Sequence, residues 1–132
     1  MSSTQGFVPP LKVDTLTILP LLDGDTLRVT MSGAVEMRDP GEVLNPYWTL
    51  VDEEALRRNL KSVELDVRDL NFMNSSGILT LVRWITKAKT HAPFDAYKLV
   101  LRYDRNVTWQ RSCVPTLAKL APNVVVPAEI NG

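Results

Sequence analysis

Two adjacent serines followed by a glycine carry the clearest chemical signal in the sequence. The run Asn74-Ser75-Ser76-Gly77 lies between two apolar segments. At the start of a helix, short polar side chains accept hydrogen bonds from the free N–H groups of the first turn. The same N–H groups form a natural site for an anion such as phosphate. The serines are therefore either capping residues or hydroxyl groups that face a partner or an anion.

The segments on either side of this run predict a strand and a helix. Residues 62–67 place apolar side chains at every second position, as a half-buried strand does. The segment after Gly77 repeats apolar residues at spacings of three and four, which predicts an amphipathic helix. Its predicted core face consists of Ile78, Leu81, Val82, Ile85 and Ala88.

A helical wheel separates the two serines. The side opposite the apolar stripe carries Ser76, Thr80, Arg83 and Lys87. Ser75 falls toward the edge of the stripe, so Ser76 is expected to be the more exposed hydroxyl. Trp84 borders the stripe and is interpreted as a residue at the edge of the core, with an interface anchor as the alternative.

The run F-M-N-S-S-G-I at residues 72–78 resembles the signature of the STAS domain, the fold of bacterial anti-sigma-factor antagonists. In that family an apolar strand end is followed by an aspartate, two serines, a glycine and an apolar helix. Asn74 stands where the family has the aspartate, so a carboxylate beside the hydroxyl is missing. Residues 107–112 and 117–122 also look like a branch of small STAS-like regulators that carry asparagine here. The resemblance spans residues 65–126.

This resemblance implies a signalling regulator that binds a protein partner, has no cofactor and is not itself an enzyme. The family's phosphoacceptor falls on Ser76, with Ser75 as second choice. The implied partner is an anti-sigma factor or a switch kinase with a GHKL-like ATPase fold, and a serine phosphatase would reverse the modification. The expected contact surface comprises Asn74, Ser75, Ser76, Gly77, Thr80 and Arg83.

Two other functions stay open on the sequence alone. The first is a non-switching structural or adaptor module in which the serines only cap the helix. The second is a domain that binds a small anionic ligand at the helix start. Binding to a kinase would favour the regulator, and tight binding of an anionic metabolite would favour the ligand-binding domain. A monomer or weak dimer is expected in each case.

The composition limits the broad class of the protein. The chain has 132 residues, 45% of them apolar, which suits a globular domain. Its 15 basic and 15 acidic residues give no net charge, which argues against nucleic acid as the main partner. No apolar run approaches the roughly 18 residues of a membrane span, and Cys113 is the only cysteine. With no signal peptide in the first residues, a cytoplasmic location is expected.

The remaining segments predict an α/β fold. Residues 1–12 are interpreted as a flexible tail and 13–132 as one STAS-like domain. Strands at 16–22 and 26–31 form a hairpin, and Pro20 predicts an edge strand. Residues 32–44 read as a loop, with a helix starting at Asn45-Pro46. Further predictions are a strand at 97–103, a helix at 109–120 and a strand at 123–126. Pro115 inside the predicted helix indicates either a kink or a true start near Ser112. Together they predict a mixed, mostly parallel sheet with an N-terminal antiparallel hairpin and helices packed on it.

An enzymatic role finds little support in the sequence. A serine hydrolase needs a base, and His91, the only histidine, follows the long helix at roughly 20 Å from Ser76, given a rise of 1.5 Å per residue. The G-x-S-x-G elbow, the P-loop and the G-x-G-x-x-G motif are all missing. His91 and Trp109 are therefore interpreted as structural residues.

Overall fold

A computed structural model describes residues 8–91 and 97–130, and this part of the chain folds into six strands and three helices. In chain order the elements are β1 (Leu11–Val13), β2 (Leu16–Asp23), β3 (Thr26–Val35), α1 (Pro40–Arg57), β4 (Ser62–Met73), α2 (Ser75–Ala88), β5 (Lys98–Tyr103), α3 (Thr108–Leu120) and β6 (Val125–Glu129). The strands form one sheet whose spatial order is the order of the chain.

The sheet combines an antiparallel start with a parallel remainder. Strands β1, β2 and β3 pair antiparallel, and β3 to β6 pair parallel. Parallel neighbours need a long crossover connection, and each crossover here contains one helix, α1, α2 or α3 in turn. This topology confirms the predicted α/β class with a mostly parallel sheet and an N-terminal hairpin.

The hairpin of β2 and β3 confirms the predicted turn. Asp23 pairs with Thr26, so a two-residue loop joins the strands. Gly24 in that loop has a φ of 61°, a left-handed conformation that glycine adopts without steric cost. Pro20 predicted that β2 is an edge strand. This was wrong, because β1 lies at the edge of the sheet and β2 lies between β1 and β3. However, β1 pairs only with residues 16–18 of β2, so Pro20 lies beyond its reach.

The predicted flexible tail was wrong for residues 8–12. Leu11 and Lys12 belong to β1 and pair with Ile18 and Thr17. Val8 is buried in the core, and the hydroxyl of Tyr47 donates a hydrogen bond of 2.6 Å to the carbonyl of Pro9. A strand of three residues is too short to leave a periodic pattern in the sequence. Residues 1–7 lie outside the described part of the chain.

The segment predicted as a loop, residues 32–44, is mostly ordered secondary structure. Strand β3 continues to Val35, and α1 begins at Pro40, about two turns before the predicted start. Asp39-Pro40 offers the same signal as Asn45-Pro46, with proline in the first turn. Pro46 lies inside the helix, which continues through it because the residues on both sides pack into the core: Leu44, Tyr47 and Trp48.

Strand β4 is six residues longer than predicted, and helix α3 supports its second half. β4 pairs with β5 only up to Asp66, although it runs on to Met73 beside β3. Beyond that point the fully buried Gln110 of α3 donates hydrogen bonds to the carbonyls of Val67 and Leu70, at 2.5 and 3.0 Å. Trp109 also donates to the Leu70 carbonyl, at 2.8 Å, so α3 takes the place of a neighbouring strand.

The helices cover one face of the sheet. The strand side chains on that face are almost fully buried and include Leu27, Val29, Val63, Leu65, Leu99 and Leu101. The alternate positions are half-buried or exposed. On this open face Glu64 of β4 forms ion pairs with Arg28 of β3 and Arg102 of β5, at 3.4 and 3.3 Å. No helix in residues 8–91 and 97–130 is long and apolar enough to cross a membrane.

Candidate functional site at the start of helix α2

Asn74 caps helix α2 and ties it to the segment before α1. Its side-chain oxygen accepts a hydrogen bond of 2.8 Å from the N–H of Gly77. Its side-chain amide donates a hydrogen bond of 3.0 Å to the carbonyl of Met37. Its backbone N–H donates to the carbonyl of Val35, at 2.9 Å. The turn between β4 and α2 is therefore held at three points, and the predicted capping at this helix start is confirmed for Asn74.

The two serines are exposed and take no part in this capping. Ser75 and Ser76 occupy the first two positions of α2, and both are exposed. Neither hydroxyl forms a hydrogen bond within the part of the chain that the structure describes. The hypothesis that both serines serve only as caps is therefore wrong, because the asparagine before them does that work. Both hydroxyls are open to a partner or to modification.

Two residues of the expected contact surface are buried. Gly77 faces the ends of β3 and β4, and a Cβ atom there would lie 2.8 Å from Val35 Cγ1 and 2.9 Å from Met73 Cγ. Thr80 is only 2% exposed. Its hydroxyl donates to the Gly77 carbonyl at 2.7 Å and accepts from Trp48 Nε1 at 3.0 Å. Gly77 and Thr80 thus lie beneath the site and offer a partner almost no surface.

Helix α2 buries a face that is rotated from the one the wheel predicts. Three of the predicted core residues are buried: Leu81, Ile85 and Ala88. Ile78 and Val82 are only half-buried. Trp84 is 3% exposed and stacks on Trp48 of α1, with ring centroids 4.8 Å apart. The rotation arises because α2 packs against α1 as well as against the sheet, which also explains the burial of Thr80.

A buried polar network joins α1, the end of α2 and the start of β5. Asp52 is 1% exposed and accepts hydrogen bonds from the Tyr97 hydroxyl, at 2.6 Å, and from Nε2 of His91, at 2.9 Å. Trp84 Nε1 donates to the Tyr97 hydroxyl at 2.8 Å. Burial, and then the Asp52 carboxylate, raise the pKa of Tyr97 well above its usual range. His91 is thus committed to Asp52 and is no base for the serines.

Sequence reasoning missed several residues that surround Ser76. Ser76 lines an open groove between α1 and α2, whose other polar lining residues are Arg38, Asp39, Glu42, Asn45, Thr80 and Arg83. Leu79 lines the same groove and is 46% exposed. Leu79 could have been found from the sequence, because it is an apolar residue on the polar side of the helical wheel. No comparable signal identified Arg38, because it was assigned to a loop.

The described residues contain no cluster of three or more histidine, cysteine, aspartate or glutamate side chains arranged to hold a metal ion. The candidate site is therefore a surface of hydroxyl, guanidinium, carboxylate and apolar groups around the start of α2. Such a surface exposes both serine hydroxyls and an apolar side chain to solvent.

Comparison with known proteins identifies the fold. No protein-family model matches the sequence, and no curated protein matches it. An anti-sigma factor antagonist from Mycobacterium paratuberculosis superposes with a TM-score of 0.59 at 16% identity, over 86% of both chains. The chain has a STAS-like fold. SiaC from Pseudomonas aeruginosa, the activator of the diguanylate cyclase SiaD and solved in complex with it, superposes with a TM-score of 0.68 at 15% identity, over 92% of this chain and 99% of that one.

Proposed function

We propose that this STAS-like protein is a signalling regulator that acts by binding a protein partner through the start of α2. The proposal rests on one observation: at this turn the helix is capped by Asn74 and not by the two serines. Asn74 supplies the cap, which leaves Ser75 and Ser76 exposed beside the exposed side chain of Leu79. The similar structures support it, since one is an anti-sigma factor antagonist and the other an activator bound to an enzyme.

We further propose that reversible phosphorylation of Ser76 switches this contact, with Ser75 as the second choice. The kinase would be the partner itself, an anti-sigma factor or a GHKL-type serine kinase, and a serine phosphatase would reverse the step. Ser76 lines the groove between α1 and α2, whereas Ser75 does not. A phosphate adds about −1.5 to −2 charges at neutral pH, enough to change the surface that a partner meets.

Binding fits this site better than catalysis. The only histidine of the chain is held by Asp52 beyond the other end of α2, so the serines have no imidazole base beside them. The proposal includes no cofactor, a cytoplasmic location, no binding to nucleic acid and a monomer or weak dimer. The proposed contact surface keeps Ser75, Ser76 and Arg83 of the expected surface and adds Leu79. Asn74 holds this surface in place, and the buried Gly77 and Thr80 are left out.

The contact surface is tested by affinity capture with two matched leucine variants. Leu79→Asp changes an exposed leucine within the proposed surface, and Leu21→Asp changes an exposed leucine on the distant β2, which is 61% exposed. Both variants should fold, because surface changes usually alter stability by about 0.5 kcal/mol or less. We expect a partner captured by the parent protein to be lost with Leu79→Asp and retained with Leu21→Asp. The reverse pattern would place the interface on the sheet.

A non-switching adaptor is the alternative that the same capture distinguishes. If Ser76→Asp retains the partner as well as the parent does, while Leu79→Asp loses it, the surface is an interface without a switch. If the partner is lost with both Ser76→Asp and Leu79→Asp, the result supports a contact that phosphorylation regulates.

A further inference from the structure

We infer that Arg83 and Arg38 form a clamp that holds a phosphate on Ser76 against its own protein. This inference rests on the proposed phosphorylation of Ser76 and states how the modification acts. Both arginines line the groove that contains Ser76, one from α2 and one from the segment before α1. The clamp would draw Arg83 away from a partner at the moment when the phosphate arrives.

The position of Arg83 on α2 suits this role. It follows Ser76 by seven residues, which is close to two full helical turns and about 10 Å along the axis. The two side chains therefore point in nearly the same direction. Helical side chains incline toward the N-terminus of the helix, which for Arg83 is the direction in which Ser76 lies. Arginine binds phosphate with two parallel N–H donors, which makes it well suited to this contact.

Neither arginine is engaged by another group in the described part of the chain. Other arginines form ion pairs there, including Arg28, Arg57, Arg68, Arg102 and Arg105. Arg38 and Arg83 form no ion pair or side-chain hydrogen bond with any described residue. Arg83 is exposed as well. Both are available to a phosphate without breaking an existing contact.

Two carboxylates in the same groove set the balance of charge. Asp39 and Glu42 line it together with the two arginines, so the unmodified groove carries two positive and two negative groups. A phosphate dianion adds excess negative charge, which attracts the arginines and is repelled by the carboxylates. Without the phosphate, Arg83 is free to pair with an acidic group on a partner. With the phosphate, that pairing is lost, so modification removes an attractive contact as well as adding a repulsive one.

The clamp is testable without the partner or the kinase. Phosphoserine is incorporated at position 76 during synthesis of the full chain, and phosphorus NMR follows the second pKa of the phosphate. A free phosphoserine has a second pKa of about 6. We expect this pKa to be lower at position 76, by about half a unit or more, because guanidinium groups favour the dianion. Arg83→Gln should move it back toward 6, and Glu42→Gln should lower it further.

Phosphoserine at position 75 is the matched control. Ser75 is exposed at the same helix start but does not line the groove. Its phosphate would share the effect of the helix dipole but would start outside the groove that the arginines line, so Arg83→Gln should leave its pKa unchanged. Equal pKa values at both positions, insensitive to Arg83→Gln and Arg38→Gln, would overturn the clamp. The proposed function would survive that result, because partner capture tests it separately.

A second arm separates a clamp for phosphoserine from a site for free anions. The unmodified protein is titrated with inorganic phosphate while its amide spectrum is recorded. We expect no saturable shift of Arg38 or Arg83 signals at millimolar phosphate, because the two carboxylates balance the charge until the phosphate is attached. Saturable binding that Arg83→Gln abolishes would show that the groove already holds free anions, and would overturn the inference that the arginines engage a phosphate only when it is attached to Ser76.

Discussion

Asn74 forms two side-chain hydrogen bonds that require a primary amide. Its oxygen accepts from Gly77 N–H, and its nitrogen donates to the Met37 carbonyl. An aspartate can make the first bond but not the second, because an ionised carboxylate has no donor. The departure from the aspartate of STAS signatures therefore has a structural reason in this chain, since the amide links α2 to the segment that leads into α1.

Replacing Asn74 should separate these two contributions. Asn74→Asp keeps the cap and gains from the helix dipole by about 0.3–1 kcal/mol, but leaves the Met37 carbonyl facing a carboxylate, at about 1–3 kcal/mol. Asn74→Ala loses both bonds. We expect urea denaturation to rank the parent as most stable, then Asn74→Asp, then Asn74→Ala. An aspartate variant at least as stable as the parent would show that the Met37 bond contributes nothing.

Gly77→Ala should destabilise the protein although alanine is the better helix former by about 1 kcal/mol. The added Cβ meets Val35 Cγ1 at 2.8 Å and Met73 Cγ at 2.9 Å, and both neighbours are buried and confined. Overpacking of this kind costs about 1–3 kcal/mol. The midpoint of urea denaturation measures it, with Ser75→Ala in the same turn as a near-neutral control. A stabilised Gly77→Ala would mean that α2 is free to shift away from β3.

At the scale of elements, packing between the two helices decides which residues of α2 are buried. The wheel predicted the helix itself and the burial of Leu81, Ile85 and Ala88, because apolar spacing reports a helix facing a sheet. The wheel wrongly predicted that Thr80 is exposed. The spacing of apolar residues in α2 gives no sign that α1 packs against its side. The start of α1 was missed for a related reason, since Pro46 was read as a beginning although buried neighbours carry the helix through it.

The interface between α1 and α2 is expected to depend on Tyr97. Tyr97→Phe removes one donor to the buried Asp52, which keeps its hydrogen bond from His91, and leaves Trp84 Nε1 without its acceptor. A buried group left without its partner costs about 1–3 kcal/mol. We expect a loss of at least about 2 kcal/mol in the free energy of unfolding. Tyr47→Phe is the matched control: it removes one part-buried bond to the Pro9 carbonyl and should cost about 1 kcal/mol. Equal losses would contradict a special role for the network.

For the whole molecule, the sequence predicted the class and the order of the elements better than their ends. The alternating strands, the turn at Gly24 and the strongly amphipathic helix could be predicted, because each one is a pattern within a single segment of the sequence. The strand β1, the late end of β4 and the groove around Ser76 depend on contacts between distant segments. Gln110, which replaces a neighbouring strand for β4, shows this well, because its role appears only when α3 and β4 meet.

The stability of the molecule should fall at both ends of the pH scale. Burial raises the pKa of Tyr47 and of Tyr97, so the unfolded chain ionises first and stability is lost above about pH 10. On the acid side, burial opposes ionisation of Asp66, but hydrogen bonds from Arg68 outweigh it and lower the pKa. Stability that is present above about pH 4 is then lost as the pH falls through this lowered value.

Urea denaturation midpoints measured across the pH range give the loss of stability at alkaline pH (the alkaline limb) and at acid pH (the acid limb). Tyr97→Phe should flatten the alkaline limb, and Asp66→Asn should flatten the acid limb while leaving the alkaline one unchanged. If stability falls as steeply at alkaline pH in Tyr97→Phe as in the parent, groups other than Tyr97 cause that loss.

Intact mass tests the switch at Ser76 most directly. The protein is purified with its bound partner from its native cells, and its mass is recorded before and after addition of ATP. Parent protein, Ser75→Ala and Ser76→Ala are compared. We predict that the parent and Ser75→Ala gain one phosphate and release the partner, while Ser76→Ala gains none and stays bound. A phosphate that persists in Ser76→Ala, or a parent that gains none with its partner present, would contradict a switch at this serine.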